Sequence, residues 1–170
     1  MRSADDYLRL SGELALDIAL LVKLKEKHEK AVVRATQAGD DDLLWAAVGY
    51  TIHNIYCLLE NYFLRIAKFF ENGLDSGSWH AELVSRMCIE IPGLRPRLFD
   101  TAFAERVDTL RRFRHAFRNM YQAELDPRRV KILNDDLPGI IDEFSSWHAQ
   151  FAQALQTIAT IIERENSQAT

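Results

Sequence analysis

Residues 42–72 read DLLWAAVGYTIHNIYCLLENYFLRIAKFFEN, and the fold class is decided by where their large apolar side chains fall. Val48, Ile52, Ile55, Leu59, Tyr62, Ile66 and Phe70 recur at steps of three or four. At ~100° per residue those steps line one face of a helix over about six turns. A half-buried strand would alternate at every second residue instead, and this stretch does not. The same spacing returns near the far end of the chain in Phe144, Trp147, Phe151, Leu155, Ile158 and Ile162.

Between and around the two stripes, short polar and Gly/Pro signals punctuate the chain. Asp5 and Asp6 offer N-cap chemistry for a first helix over 5–38, which Gly39 ends. Asp40-Asp41-Asp42 starts the second helix, expected over 42–72, and Gly73 and Gly77 bracket a loop. A short helix over 78–89 is stopped by Ile91-Pro92-Gly93, and Pro96 keeps the connection to the fourth helix irregular. That fourth helix is expected from Asp100 to Tyr121. Asp126-Pro127, a cap followed by Pro at the first helical position, opens a last helical region. Pro138-Gly139 is expected to kink or break it. Short links between long helices favour antiparallel neighbours. The expectation is an all-α, antiparallel helical bundle of four to five long helices plus short ones, forming a single domain over 1–170.

Composition agrees and narrows the function classes. With 170 residues, 48% of them apolar, one domain can build its core without covalent staples. Seven Gly and four Pro are too few for a turn-rich β protein. Cys57 and Cys88 sit in apolar helical pattern and read as free thiols rather than a disulfide. His28, His53, His80, His115 and His148 are scattered, no CxxC or HxxxH spacing occurs, and neither a metal site nor a cofactor is expected. No Gly-rich phosphate loop is present. No apolar run of ~18 residues suggests a membrane span. Met1-Arg2-Ser3 leads straight into Asp5-Asp6 without a signal-peptide pattern, so the cytoplasm is the expected compartment.

A net charge of -4 argues against indiscriminate nucleic-acid binding, but the charge is uneven. Residues 106–131 carry eight basic residues against Asp108, Glu124 and Asp126, so this segment is +5 and the remainder -9. Its centre reads Leu110-Arg111-Arg112-Phe113-Arg114-His115-Ala116-Phe117-Arg118-Asn119-Met120-Tyr121. Arg111, Arg114, Arg118 and Tyr121 share a helical face, while Phe113 and Phe117 can turn to the core. Guanidiniums at these spacings repel by a few tenths of a kcal/mol per pair. An internal carboxylate or a ligand phosphate is expected to offset that. Arg suits phosphate because its planar fork binds two oxygens at once.

Here the chain resembles the HEPN superfamily, and most closely its HepT-like ribonuclease toxins. That pattern looks like Phe-Arg-His-x-Phe-Arg-His-x-Tyr followed by Glu-Leu-Asp. The chain has Phe113-Arg114-His115-Ala116-Phe117-Arg118-Asn119-Met120-Tyr121 and then Glu124-Leu125-Asp126. Upstream, His53-Asn54-Ile55-Tyr56 with Leu59-Glu60 and Ile66-Ala67 is similar to the family's second helix. Ser78-Trp79-His80-Ala81-Glu82-Leu83 is similar to its Trp-His segment. The likeness spans most of 45–135.

The resemblance implies a metal-independent ribonuclease. Arg114 would steady the scissile phosphate, Arg111, His115 and Arg118 would help bind RNA, and a histidine five positions after Arg114 would move protons. It also implies a homodimer with its site in the cleft between copies. A nucleotidyltransferase antitoxin would silence the toxin by placing AMP on Tyr121. The chain departs from the pattern at the proton-transfer position, which is Asn119. An amide neither takes nor gives a proton near neutral pH, and general acid-base catalysis contributes ~10²–10⁴-fold. The protein as written is therefore expected to be inactive or weakened. The alternative is a HEPN domain that has lost catalysis and binds RNA, a nucleotide or a protein partner.

Overall fold

The computed structural model describes residues 2–39, 41–70, 79–119 and 125–168, with the backbone alone at 79–81. Among the described residues five helices run in chain order: α1 Ala4–Gln37, α2 Asp42–Phe70, α3 Trp79–Arg86, α4 Thr101–Arg118 and α5 Pro127–Gln168. Cross-helix contacts fix their directions. His28 meets Thr51 and Asp17 meets Arg65, so α2 runs antiparallel to α1. Lys25 reaches Asp142 and His28 reaches Asn134, so α5 is antiparallel to α1 as well. Glu60 pairs with Arg114 while Phe63 packs on Phe99 just before α4, so α4 descends against α2.

The helix ends show local chemistry at work. Ser3, not Asp5 or Asp6, caps α1: its Oγ accepts from the Asp6 amide at 3.3 Å and Asp6 Oδ2 accepts from the Ser3 amide at 3.0 Å. The expected aspartate cap is thus the return half of a capping box. Gly39 leaves α1 at φ 78°, a value that favours glycine. Asp41 Oδ1 accepts from the amides of Leu43 and Leu44 and opens α2. The third helix stops at Arg86, before the expected residue 89, because its last carbonyls turn to a side chain. The buried Arg95 guanidinium donates to the carbonyls of Arg86 at 2.7 Å and Ile89 at 3.1 Å. Asp100 caps α4 by accepting from the Phe103 amide at 2.8 Å.

Of the kink or break expected at Pro138-Gly139, the break is corrected. α5 runs unbroken from Pro127 to Gln168 with Pro138 inside it. Pro138 is exposed, while Leu137, Ile140, Ile141 and Phe144 around it are buried. Burying each such side chain contributes ~1.5–3 kcal/mol, which together outweighs the ~3 kcal/mol cost of an interior proline.

Both apolar stripes pack inward. Val48, Ile52, Ile55, Leu59, Tyr62 and Ile66 of α2 are at most 1% exposed, and Phe144, Phe151 and Leu155 of α5 at most 2%. Tyr62, Phe63, Phe99, Phe103 and Phe144 join edge to face at the centre, with centroid separations such as 5.0 Å for Tyr62–Phe144 and 5.3 Å for Phe99–Phe103. Cys57 and Cys88 are free and half-buried. Gly49 decides how closely the end of α4 sits on α2. A Cβ there would lie 3.1 Å from Phe117 and 3.1 Å from Leu125.

Candidate functional site

α4 carries the basic segment, and its faces distribute the arginines to different neighbours. Phe113 is buried and Phe117 half-buried against α2, which fixes the rotation of the helix. That rotation drives Arg114 inward. Its Nη2 lies 3.1 Å from Glu60 Oε2, with only 17% of the arginine side chain and 8% of the glutamate side chain exposed. Arg114 Nε is buried without a hydrogen-bond partner among the described residues. Beside it the Tyr56 hydroxyl is likewise buried and without a partner among the described residues, and burial, with the Glu60 charge, pushes its acidity far below that of a free phenol. Cys57 adjoins Arg114, and its Sγ lies 3.8 Å from both ring nitrogens of His53. The His53 ring tilts on Phe117 at a centroid distance of 5.3 Å.

Arg111 and Arg114 of the row of like charges are offset from inside the protein, as one of the two expectations had it. Asp108 clamps two arginines at once: Arg111 Nε donates to Oδ1 at 2.5 Å and Arg112 Nε to Oδ2 at 2.7 Å. Burial pushes the Asp108 carboxyl up, but the hydrogen bonds from Arg111 and Arg112 outweigh it and hold the group below the ordinary aspartate range. Arg106 is taken up by Asp136 and Glu143 of α5. Arg118 and His115, in the last turn of α4, are exposed, and Arg118 has no ion pair among the described residues.

Asn119 is the C-cap of α4. Its Nδ2 donates back to the His115 carbonyl at 3.0 Å. It lines a cavity of 520 Å³ between α4 and the start of α5, with Arg112, Phe113, Leu125 and Arg129 among the other walls. Five residues rotate a helix by about 140° in net terms. Accordingly Arg114 faces α2 while Asn119 faces the α5 side, and a single chain does not bring the two side chains together. Tyr121 and Glu124 lie outside the described residues, as do the side chains of Trp79 and His80.

Two participants carried weak signals in the sequence. Asp108 stands three and four residues before Arg111 and Arg112, the spacing of helical ion pairs. Glu60 is the one acid in the strongly apolar run of α2 that follows Asp42, which implies a buried cation partner without saying which. Among the described residues, no group of three or more His, Cys, Asp or Glu is arranged to hold a metal ion. None of the described helices is long and apolar enough to cross a membrane.

The site is thus an arginine-bearing helix end in an all-α bundle, braced by the buried Glu60 and the half-buried Asp108 and flanked by a cavity. A family model described as HepT-like protein matches residues 47–166, and the chain belongs to that family of the HEPN superfamily. No curated protein and no solved structure matches the chain.

Proposed function

We propose that this protein is the ribonuclease-toxin member of a toxin–antitoxin pair, with its RNA site at the C-terminal end of α4 and with cleavage weakened or lost through Asn119. The observation that supports this reading best is the extent of the family match, which contains the whole Arg111–Tyr121 segment. In the proposed reaction the 2′-hydroxyl attacks the adjacent phosphorus and the bond to the 5′-oxygen breaks. A base takes the 2′ proton, an acid returns one to the leaving oxygen, and a 2′,3′-cyclic phosphate remains. Arg114 and Arg118 balance charge on the phosphate, Arg111 and His115 extend the grip, and no metal takes part. Asn119 can only hold a hydrogen bond where the proton carrier would stand.

The protein acts as a homodimer in this reading, because Arg114 and Asn119 of one copy face different sides of α4, and a second copy supplies the opposite wall of a cleft. Such an interface buries at least ~1,000 Å² in total. A nucleotidyltransferase antitoxin transfers AMP from ATP to the Tyr121 hydroxyl, releasing pyrophosphate and setting a negative charge where RNA phosphate must approach.

A second reading rests on the same residue and on Glu60. With an amide at position 119 and a carboxylate already on Arg114, the domain binds RNA, a nucleotide or a protein partner without cleaving. Asn119→His separates the two. Under the ribonuclease reading the variant cleaves RNA in the presence of EDTA, leaves a cyclic phosphate and is toxic without its partner, and Arg114→Ala abolishes the gain. A folded dimeric Asn119→His protein that cleaves no RNA tested would leave the binding module as the function.

A further inference from the structure

One face of α1 is left uncovered by the bundle. Between Gly12 and Val22 its exposed residues are Gly12, Ala15, Leu16, Ala19, Leu20 and Val22, and none is polar. The two acids of that stretch, Glu13 and Asp17, turn instead to Arg65 of α2. Leu8, one turn earlier on the same face, is 44% exposed, Leu16 72% and Leu20 46%. Steps of four from Leu8 through Gly12 and Leu16 to Leu20 make one continuous stripe. Within it, a Cβ built on Gly12 would meet nothing within 4 Å, so the stripe has a gap there. A solvated helix face carries polar and charged residues, and an uncharged stripe of this length marks a surface that meets a partner.

The ends of the stripe say which partner. Asp5 and Lys23 stand eighteen residues apart, which is five full turns at ~100° per residue, so both lie in line with Gly12 and Leu16. Both are exposed, and neither has an ion pair among the described residues. The stripe therefore runs from an acid, through leucines, to a base. A second α1 laid antiparallel on it, centred at the level of Leu14, sets Asp5 against Lys23 of the other copy and Leu8 against Leu20. Leu16, the side chain that protrudes most, then falls on the bare Gly12. A parallel pair would set like charge against like at both ends. Antiparallel helix dipoles favour the same choice. A partner carrying a single sign of charge would match only one end.

We infer that two copies of this chain pair through the outer faces of α1, antiparallel about a two-fold axis at the level of Leu14. This goes beyond the proposed function and does not rest on it. Among the described residues α1 packs on α2 and α5 and not on α4, so this contact lies apart from the cleft in which two copies would hold RNA. One chain can use both surfaces. Dimers made at the cleft are then joined into tetramers, or into longer chains where the two axes do not close. The contact strip is ~27 Å long and ~10–12 Å wide. That is the low end for a specific interface, so the pairing depends on concentration.

Sedimentation equilibrium on the full-length protein, from low micromolar concentration upward, reads the association. Leu16→Glu changes a side chain too exposed to matter for folding. It should raise the dissociation constant of this contact at least ~100-fold, because the two-fold axis buries the change twice. Lys23→Glu alone should raise it ~10-fold by facing Asp5 of the other copy, and adding Asp5→Lys should bring it back to within about threefold of the parent. Circular dichroism checks that each variant keeps its helices. Three results would each overturn the inference: a parent that stays monomeric, an association unmoved by Leu16→Glu, which leaves the stripe to a different protein, or a charge swap that fails to recover the loss. The outcome is separable from the ribonuclease reading. If Leu16→Glu reduces larger assemblies to a dimer, both contacts stand. If it reduces a dimer to a monomer, the α1 pairing stands and the cleft dimer falls.

Discussion

Replacing Arg114 by alanine would remove a guanidinium that serves the interior of the bundle as well as any phosphate. The change leaves the Glu60 carboxylate, 8% exposed, without its cation at 3.1 Å. Removing one partner of a buried ion pair costs ~3–5 kcal/mol, because the remaining charge stays desolvated. The arginine keeps 17% exposure and Glu60 engages another group besides, so the lower end applies, about 3 kcal/mol. For a domain of this size that lowers Tm by about 6–12 °C. Arg114→Met combined with Glu60→Leu removes both charges together and should come within about 1 kcal/mol of the parent. Arg118→Ala, at an exposed position without an ion pair among the described residues, should change stability by no more than ~0.5 kcal/mol. Urea unfolding followed by circular dichroism, arranged as a double-mutant cycle, measures all of these. RNA binding adds a second axis. Arg118→Ala should weaken it and flatten the salt dependence by about 0.7 per lost phosphate contact. Glu60→Gln, which loosens the hold on Arg114, should strengthen it. A loss below about 1 kcal/mol for Arg114→Ala would mean that the pair behaves as a surface contact, and the interior role assigned to it would be wrong.

Two further changes probe how the site is held. Gly49→Ala places a Cβ 3.1 Å from Phe117 and Leu125, and with ~1–3 kcal/mol for overpacking against up to ~1 kcal/mol of gained helix propensity, the net loss should be about 1 kcal/mol; a variant more stable than the parent in urea would refute the close approach. His28 is buried between Thr51 at 2.7 Å and Asn134 at 3.0 Å, and burial pulls its pKa below the ordinary 6.5. Its neutral form is the folded one, so its contribution is complete above that ordinary value and is lost as pH falls through the depressed pKa. The urea midpoint should drop between about pH 7 and pH 5, with His148, also depressed by burial, adding to the fall. His28→Gln should flatten part of that dependence, and identical pH slopes would count against it.

The bundle was legible because its signal is repetitive: each turn of α2 and α5 restates the same apolar face, so an error at one residue cannot change the result. Single-residue events were less legible. Ser3 rather than Asp6 caps α1 because only the reciprocal bond geometry distinguishes the two halves of a capping box. Pro138 fails to break α5 because tertiary burial around it exceeds its local cost, and no local rule contains that comparison. The basic row was visible as residues, and the need for an internal anion followed from like-charge repulsion. Which acid answers which arginine depends on the rotation of α4 against α2. That rotation is set by Phe113, Phe117 and the missing side chain at Gly49, which lie in different helices.

The same rotation constrains how any RNA could use this helix. Arg114 and position 119 stand about 140° apart around α4, so no flat surface along its side exposes both. Position 119 stands at the C-terminal end of α4. That end carries the partial negative charge of the helix dipole, which repels phosphate. A phosphate site there therefore needs cations that are not already neutralised by neighbouring carboxylates. Arg106, Arg111, Arg112 and Arg114 are each paired with an acid, and their pairing keeps the bundle together. Arg118 in the last turn of α4, and Arg128 and Arg129 in the first turn of α5, have no ion pair among the described residues. These three carry uncompensated charge at the end of α4 and the start of α5. Arg114 is positioned by the fold but held by Glu60, so under the proposed function the exposed arginines are expected to make first contact with RNA. Affinity for RNA should then follow Arg118, Arg128 and Arg129, and chemistry should follow Arg114 only after its carboxylate partner yields.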